Sequence, residues 1–478
     1  MKYASNNIRN ILIAGHAGSG KTTLTEALVY FSGAAERMGR VEDGTTISDF
    51  DPEEAKRKAS LSASVVPVEY EGIKYNLIDA PGLFDFEAGE YEGIRAAESV
   101  LVCVSGRSGV TVGAEKAFQL ARKNGKATMV FVSKCDLENA NYFKILEDMK
   151  IKFGSTVCPC VVPAKLDDGT PVYINLFSQK AFKYEGGKQI QVDLPDIGHR
   201  FQGLIEAMSE AIAETDDELM EKYFNGDDFS DEEVLRGLKK GIAGGGIVPV
   251  CSSAFQLGAG LEGLLDLLVT YVPTPLEHGP YAGFNDKNEP VERLSVVDAP
   301  VSAFVFKTIV DPFVGKISVM KVVTGKLNSG TEVYNERAGK TEKLGKLFFL
   351  RGKNQTELNY AEAGDIVAVA KLQYTLSGDT LCDKNDIIRY LPLDYPQPSY
   401  YIAIEAVDKN DEDKMGTGLN KLREEDPSFV VERNTETRRR SGRYSAGGYP
   451  CQAERQIRRK SEDCSAEDSL QRDYQGNF

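Results

Sequence analysis

Gly15-His16-Ala17-Gly18-Ser19-Gly20-Lys21-Thr22 decides how this chain is read. The stretch fits the phosphate-binding pattern G-x-x-x-x-G-K-[ST]. Before it, Ile11-Leu12-Ile13-Ala14 reads as a buried strand. After it, Leu24, Ala27, Leu28 and Phe31 recur at helical spacing, and Gly33 is a natural stop. Strand, glycine loop and helix are what the chemistry requires. Glycines let successive backbone N–H groups approach a polyphosphate, and the helix N-terminus adds a favourable dipole. Lys21 would reach the terminal phosphates and the Thr22 hydroxyl would ligate Mg²⁺. The candidate set is Gly15, His16, Ala17, Gly18, Ser19, Gly20, Lys21, Thr22 and Thr23. The competing reading is a glycine-rich turn that matches by chance, which the flanking strand and helix disfavour.

The chain has 478 residues, long enough for about three domains. Hydrophobic content of 41% with 27% charged residues describes a soluble globular protein. No apolar run approaches membrane-spanning length, and Met1-Lys2-Tyr3-Ala4-Ser5-Asn6 is no signal peptide. The eight cysteines are scattered, with Cys158-Pro159-Cys160 the one close pair, which predicts reduced thiols in a cytoplasmic protein. A net charge of −15 argues against nonspecific coating of nucleic acid. It leaves room for a large RNA partner engaged through local basic patches.

Residues 1–280 read as a doubly wound α/β domain, with an inserted subdomain at about 156–240. Within it, 65–70 and 75–78 read as a hairpin around Glu71-Gly72, and 99–105, 127–133 and 247–251 as buried strands. Phe143, Leu146, Met149 and Phe153 give one helix an inward face. Residues 281–390 change to period two: Val301, Ala303, Val305, then Ile317, Val319, Lys321, with glycine turns between. That is an all-β, barrel-like domain. Residues 396–436 read as one β-α-β unit, half of a ferredoxin-like domain. From 437 to 478 the chain is basic, then Ser/Asp/Glu-rich, without apolar period. Nothing there is expected to complete a core.

Further stretches say what the loop holds. Asp79-Ala80-Pro81-Gly82 ends a strand, where a carboxylate can hold a Mg²⁺-bound water and Gly82 can present its N–H to a γ-phosphate. Ser133-Lys134-Cys135-Asp136 resembles the guanine motif Asn-Lys-x-Asp. A carboxylate at Asp136 accepts both N1–H and N2–H of guanine, and adenine offers neither. Lys134 can pack on the base. Ser253-Ala254 resembles the element whose backbone N–H reaches guanine O6. The polar segment 39–64 reads as a first switch, with Ser60 as a hydroxyl for Mg²⁺ beside Thr22 and Asp79. The alternative for that segment is a solvated charged loop.

With these stretches in place, the chain resembles the elongation factor G family, particularly its divergent paralogues. The resemblance runs from residue 8 to about 436. It includes Asp311-Pro312-Phe313-Val314-Gly315-Lys316, Ala363-Gly364-Asp365-Ile366, Gly378-Asp379-Thr380-Leu381-Cys382, Lys414-Met415-Gly416 and Glu424-Glu425-Asp426-Pro427. It implies a monomeric cytoplasmic GTPase that uses GTP and Mg²⁺ and works on the ribosome, with Lys21 and Gly82 as catalytic groups. Three departures stand out. Leu83 occupies the place of the family's water-orienting histidine and has neither donor nor acceptor. Ser133 replaces asparagine, and Gly18 replaces an aspartate. Beyond Arg438 the resemblance ends inside a folding unit, as a truncated or frameshifted reading frame would. The expectation is a GTPase incomplete as a translocase. The alternative is a GTP-dependent ribosome-associated binding factor with little hydrolysis, and an ATP-dependent kinase fits poorly.

Overall fold

The computed structural model describes residues 3–137, 139–185, 188–195, 199–253, 261–311, 313–392, 394–396, 398–404, 411–433 and 440–445. β1 (Ile8–Ala14) runs into the phosphate loop and α1 (Lys21–Phe31) leaves it. There follow α2 (Pro52–Arg57), β2 (Ser64–Tyr70), β3 (Ile73–Asp79), α3 (Ala88–Ala96), β4 (Ser99–Ser105) and α4 (Val112–Lys123). Then come β5 (Ala127–Ser133), α5 (Tyr142–Phe153) and β6 (Val157–Pro159).

All seven residues of β1 are buried, and the two faces explain why. Ile11 and Ile13 pack with Leu24 and Leu28 of α1. Leu12 and Ala14 pack with the layer holding Ile94, Phe118 and Ile145. A strand covered on both sides reads as an unbroken apolar run. β1 pairs in parallel with β3 on one side and β4 on the other. The phosphate loop therefore leaves the carboxyl end of a strand where the chain order reverses, the usual place for a ligand in such sheets.

The inserted segment carries β7 (Val161–Lys165), β8 (Pro171–Asn175), β9 (Lys180–Glu185) and β10 (Lys188–Val192) as one antiparallel sheet. α6 (His199–Ala213), α7 (Asp217–Asn225) and α8 (Asp231–Ala243) follow. β11 (Val248–Ser252) and α9 (Leu261–Tyr271) return to the first domain. One boundary differs from the sequence reading. β6 lies within 156–240 yet pairs in parallel with β11, Val157 opposite Val248, so it belongs to the seven-stranded sheet. The six described cysteines are unbridged thiols.

Next come β12 (Tyr281–Asn285), β13 (Pro290–Arg293), β14 (Ser302–Asp311) and β15 (Gly315–Thr324). β14 and β15 sit inside an eight-stranded sheet of antiparallel pairs, as an all-β unit requires. The strict alternation expected here fails. The first seven residues of β14 are all buried, because Ala303 and Val305 face this sheet's own core while Phe304 and Phe306 join the core of the first domain. Lys321 is buried for the same reason. Its ammonium pairs with Glu98 and donates to the carbonyl of Ala96 and the hydroxyl of Tyr281, both at 2.8 Å.

A chain of polar contacts continues from there. Asn10 Nδ2 donates to Glu98 Oε2 and to the Gly364 carbonyl, both at 2.8 Å, and Asn76 Nδ2 donates to Asn10 Oδ1 at 2.8 Å. Lys74 meets Asp365 at 2.6 Å, and Lys307 meets Glu92 at 3.2 Å. β1 and β3 are thus tied to the second unit a few residues before the phosphate loop and Asp79.

In the third unit, strands Pro398–Ile404 and Val430–Arg433 flank helix Glu412–Glu425 in sequence. Met415, Leu419 and Leu422 pack with Phe429. Arg440–Ser445 forms a strand between the other two, antiparallel to both. This corrects the expectation that nothing beyond 437 joins a folded unit. A split β-α-β leaves a gap one strand wide with unpaired N–H and C=O groups on both sides. An extended segment can fill it through its backbone alone. Among the described residues no helix is long and apolar enough to cross a membrane.

Candidate nucleotide site

Gly15, Gly18 and Gly20 adopt φ of +132°, +75° and +94°, the left-handed region that L side chains resist. A Cβ on Gly15 would stand 2.5 Å from the carbonyl oxygen of Cys103 on β4, so the loop also needs the missing side chain for space. Lys21 Nζ donates to the carbonyls of Gly15 (2.9 Å) and His16 (3.1 Å). Gly82 lies directly over the loop, and its carbonyl accepts from Ala17 N–H at 2.9 Å. Ser19 Oγ and His16 Nδ1 are buried and have no hydrogen-bond partner among the described residues. Thr22 and Thr23 open α1, Thr22 buried and Thr23 half-buried.

Thr22 Oγ1 lies 3.2 Å from Ser60 Oγ, which brings together two hydroxyls singled out from separate parts of the sequence. Asp79, at the end of β3, is wholly buried beside the hydroxyls of Ser48 and Thr22. Burial first, and the Asp49 charge second, push its carboxyl up to about 7, while Lys21 pulls it down. Asp49 itself is raised by burial and lowered by a hydrogen bond to Ser60 and by Lys21. Ser48 is buried beside them. A buried carboxylate among hydroxyls is a hard-oxygen donor set, which suits Mg²⁺. Sequence reasoning missed Asp49 and Ser48, since two polar residues in a polar segment carry no period.

The first switch segment is ordered by two further carboxylates that the sequence did not single out. Glu26 of α1 accepts from Gly39 N–H at 3.0 Å and from Ile47 N–H. Glu54 accepts from the N–H groups of Leu61 (2.9 Å), Ser62 (3.2 Å) and Asp51 (3.2 Å). Burial pushes the Glu54 carboxyl up to about 7 against those three hydrogen bonds. α2 was not expected, though its signature is present: Asp51 and Glu54 form a capping box around Pro52.

On the opposite flank, Ser133 Oγ donates to the Ser19 carbonyl at 2.7 Å, and Lys134 Nζ to the Gly18 carbonyl at 2.8 Å. Ser133 is wholly buried, so here it ties two loops together. Asp136 is exposed to solvent beside them. Ser253 is buried at the end of β11, with its N–H donating to the Val132 carbonyl at 3.1 Å. Ala254 lies outside the described residues.

Beyond Ala80 and Pro81, both buried, Leu83 is 37% exposed, ahead of a short turn at Phe84–Phe86. The Phe84 ring lies 5.7 Å from the His16 ring. A cavity of about 230 Å³ opens here, lined by Gly15, Gly82 and Leu83 and by Glu90 of α3. Glu90 Oε1 stands 3.5 Å from the Gly15 nitrogen. Burial pushes its carboxyl up to about 7, while Lys21 pulls it down.

Comparison with known proteins places these units in a family. Residues 6–274 match the family model for the elongation factor Tu GTP binding domain. Residues 300–384 match elongation factor G domain 2, and residues 395–440 match elongation factor G domain III. A solved crystal structure of a protein from Thermus thermophilus is 32% identical in sequence, with a TM-score of 0.84. That likeness covers 95% of this chain and 66% of the other, so the present chain spans just under two thirds of that protein's length.

Proposed function

The chain belongs to the elongation factor G family and carries that family's GTPase-type domain, and from this premise we propose that it binds and hydrolyses GTP with Mg²⁺ at residues 15–22 and couples that cycle to the ribosome. In this reading it acts as a monomer in the cytoplasm and alternates between GTP and GDP. The observation that carries the proposal is one convergence. Lys21, lying under Gly82, the Thr22–Ser60 hydroxyl pair and the buried Asp79 carboxylate converge, while Asp136 lies on the flank joined to the loop by Ser133 and Lys134.

Each residue then has a task. Backbone N–H groups of residues 15–22 hold the phosphates. Lys21 leaves the carbonyls of Gly15 and His16 and turns to the β- and γ-phosphates, where it stabilises charge that develops as the bond breaks. Thr22 and Ser60 would hold Mg²⁺, with the Asp79 carboxylate in support, and the ion when bound would supply neutralisation of phosphate charge. Gly82 N–H meets the γ-phosphate. Asp136 accepts N1–H and N2–H of guanine, Lys134 packs along the base, and Ser253-Ala254 caps O6. When the γ-phosphate leaves, the contacts at Ser60 and Gly82 are lost and both switch segments are released.

Leu83 favours a second reading. An apolar side chain in that position leaves hydrolysis slow, and the chain would then work as a GTP-dependent binding factor. GTP turnover with and without ribosomes separates the two. Turnover stimulated by ribosomes supports the coupled GTPase. Tight GTP binding with no stimulated turnover supports the binding factor.

A further inference from the structure

We propose that Glu90 accepts the proton of the attacking water, in the place of the polar group that Leu83 does not supply. The inference rests on the hydrolysis reading above. Leu83 has no atom that can orient a water. The cavity beside it is large enough for several waters, and Glu90 is a carboxylate on its wall. It shares that wall with Gly15, the first residue of the phosphate loop, and with Gly82, which stands over Lys21.

The other acids nearby are engaged elsewhere. Glu87 faces Lys116 of α4 at 3.7 Å, and Lys116 in turn covers the Phe84 ring at 4.5 Å. Asp85 is not among the residues that line the cavity. Glu90 has no salt bridge among the described residues, and its one hydrogen bond, to Gly15 N–H, is at the 3.5 Å limit. The carboxylate is therefore held close to the phosphate loop while keeping acceptor capacity for a water.

The step balances simply. The water oxygen bonds to the γ-phosphorus as the bond from that phosphorus to the β–γ bridging oxygen breaks, and GDP leaves with the electron pair. The water proton passes to the Glu90 carboxylate and from there to solvent. A base works best when its pKa is near the working pH. The charges that set it are Lys21 from α1, Glu87 before α3 and Lys116 from α4, with burial the largest cause.

The test compares the full chain with Glu90→Gln, which keeps the shape and removes the base. Affinity for fluorescent GDP should stay within twofold. Single-turnover GTP hydrolysis should fall about a hundredfold. The wild-type rate should rise with pH to a plateau above about pH 7, and that rise should vanish in the variant. Aluminium fluoride, which mimics the phosphoryl group in flight, should lock GDP onto the wild type and not onto E90Q. If E90Q keeps the wild-type rate, pH profile and fluoride-locked GDP, this assignment alone is overturned. If the wild type turns over no GTP, the hydrolysis reading falls and takes this assignment with it.

Discussion

Gly82→Ala is the sharpest single perturbation that the geometry offers. A Cβ there would lie 2.2 Å from Lys21 Nζ, 2.6 Å from the Ala17 nitrogen and 2.7 Å from the His16 carbonyl carbon. The lysine is the far end of a flexible side chain and can swing away. The other two atoms are phosphate-loop backbone and can move only with the loop. Overpacking of this kind costs about 1–3 kcal/mol. Displacing Gly82 also breaks the bond from Ala17 N–H to its carbonyl, worth about 1 kcal/mol. The docking of Gly82 on the phosphate loop should therefore weaken by about 2–4 kcal/mol, roughly 30- to 1,000-fold. The loss falls on the docking of Gly82 over the phosphate loop, so single-turnover hydrolysis of GTP should drop by that factor. A G82A chain that hydrolyses GTP within threefold of wild type would refute the placement of Gly82 over the γ-phosphate.

Asp136→Asn replaces a carboxylate by a group that also donates. GTP affinity should fall by about 3 kcal/mol, on the order of a hundredfold, and xanthosine triphosphate, which accepts at C2, should bind in its place; equilibrium titration with both nucleotides checks this. Asp79→Asn removes a carboxyl whose ionisation burial opposes. Its nucleotide-free melting temperature should rise, while GTP affinity falls and stops responding to EDTA. Lys307→Met strips Glu92 of its buried partner. Burial raises the Glu92 carboxyl to about 7 and Lys307 lowers it, so without the lysine it titrates higher still. As pH rises to 9 the variant carries more of an uncompensated charge and its loss should approach about 3–5 kcal/mol. At pH 6 Glu92 is protonated and the loss should be smaller, which thermal melts at both values will show.

The sheet of the first domain was legible because β1, β4 and β5 are buried on both faces and leave unbroken apolar runs between glycine-rich turns. The phosphate loop was legible because its glycines, lysine and threonine are adjacent in sequence. Legibility failed where burial came from another unit. Lys321 shares a period-two face with Ile317 and Val319, and the sequence does not say that it is buried with a partner; the second unit packs it against Glu98, beside Tyr281. The strand Arg440–Ser445 has no apolar signature, since its place is set by backbone pairing to two neighbours. The carboxylates of Glu26, Asp49, Glu54 and Glu90 are scattered along polar stretches. Only the fold shows Glu26, Asp49 and Glu54 buried along the first switch segment and Glu90 half-buried beside Gly15. The capping box at Asp51 and Glu54 was a readable signal for α2.

The central claim is that residues 15–22 hold a guanine nucleotide selected by Asp136. Competition at equilibrium in Mg²⁺ tests it most directly, with fluorescent GDP displaced from the full chain by unlabelled GTP or ATP. The account predicts displacement by GTP at concentrations at least a hundredfold below any effect of ATP. Displacement by ATP at equal or lower concentration, or none by GTP, would contradict it.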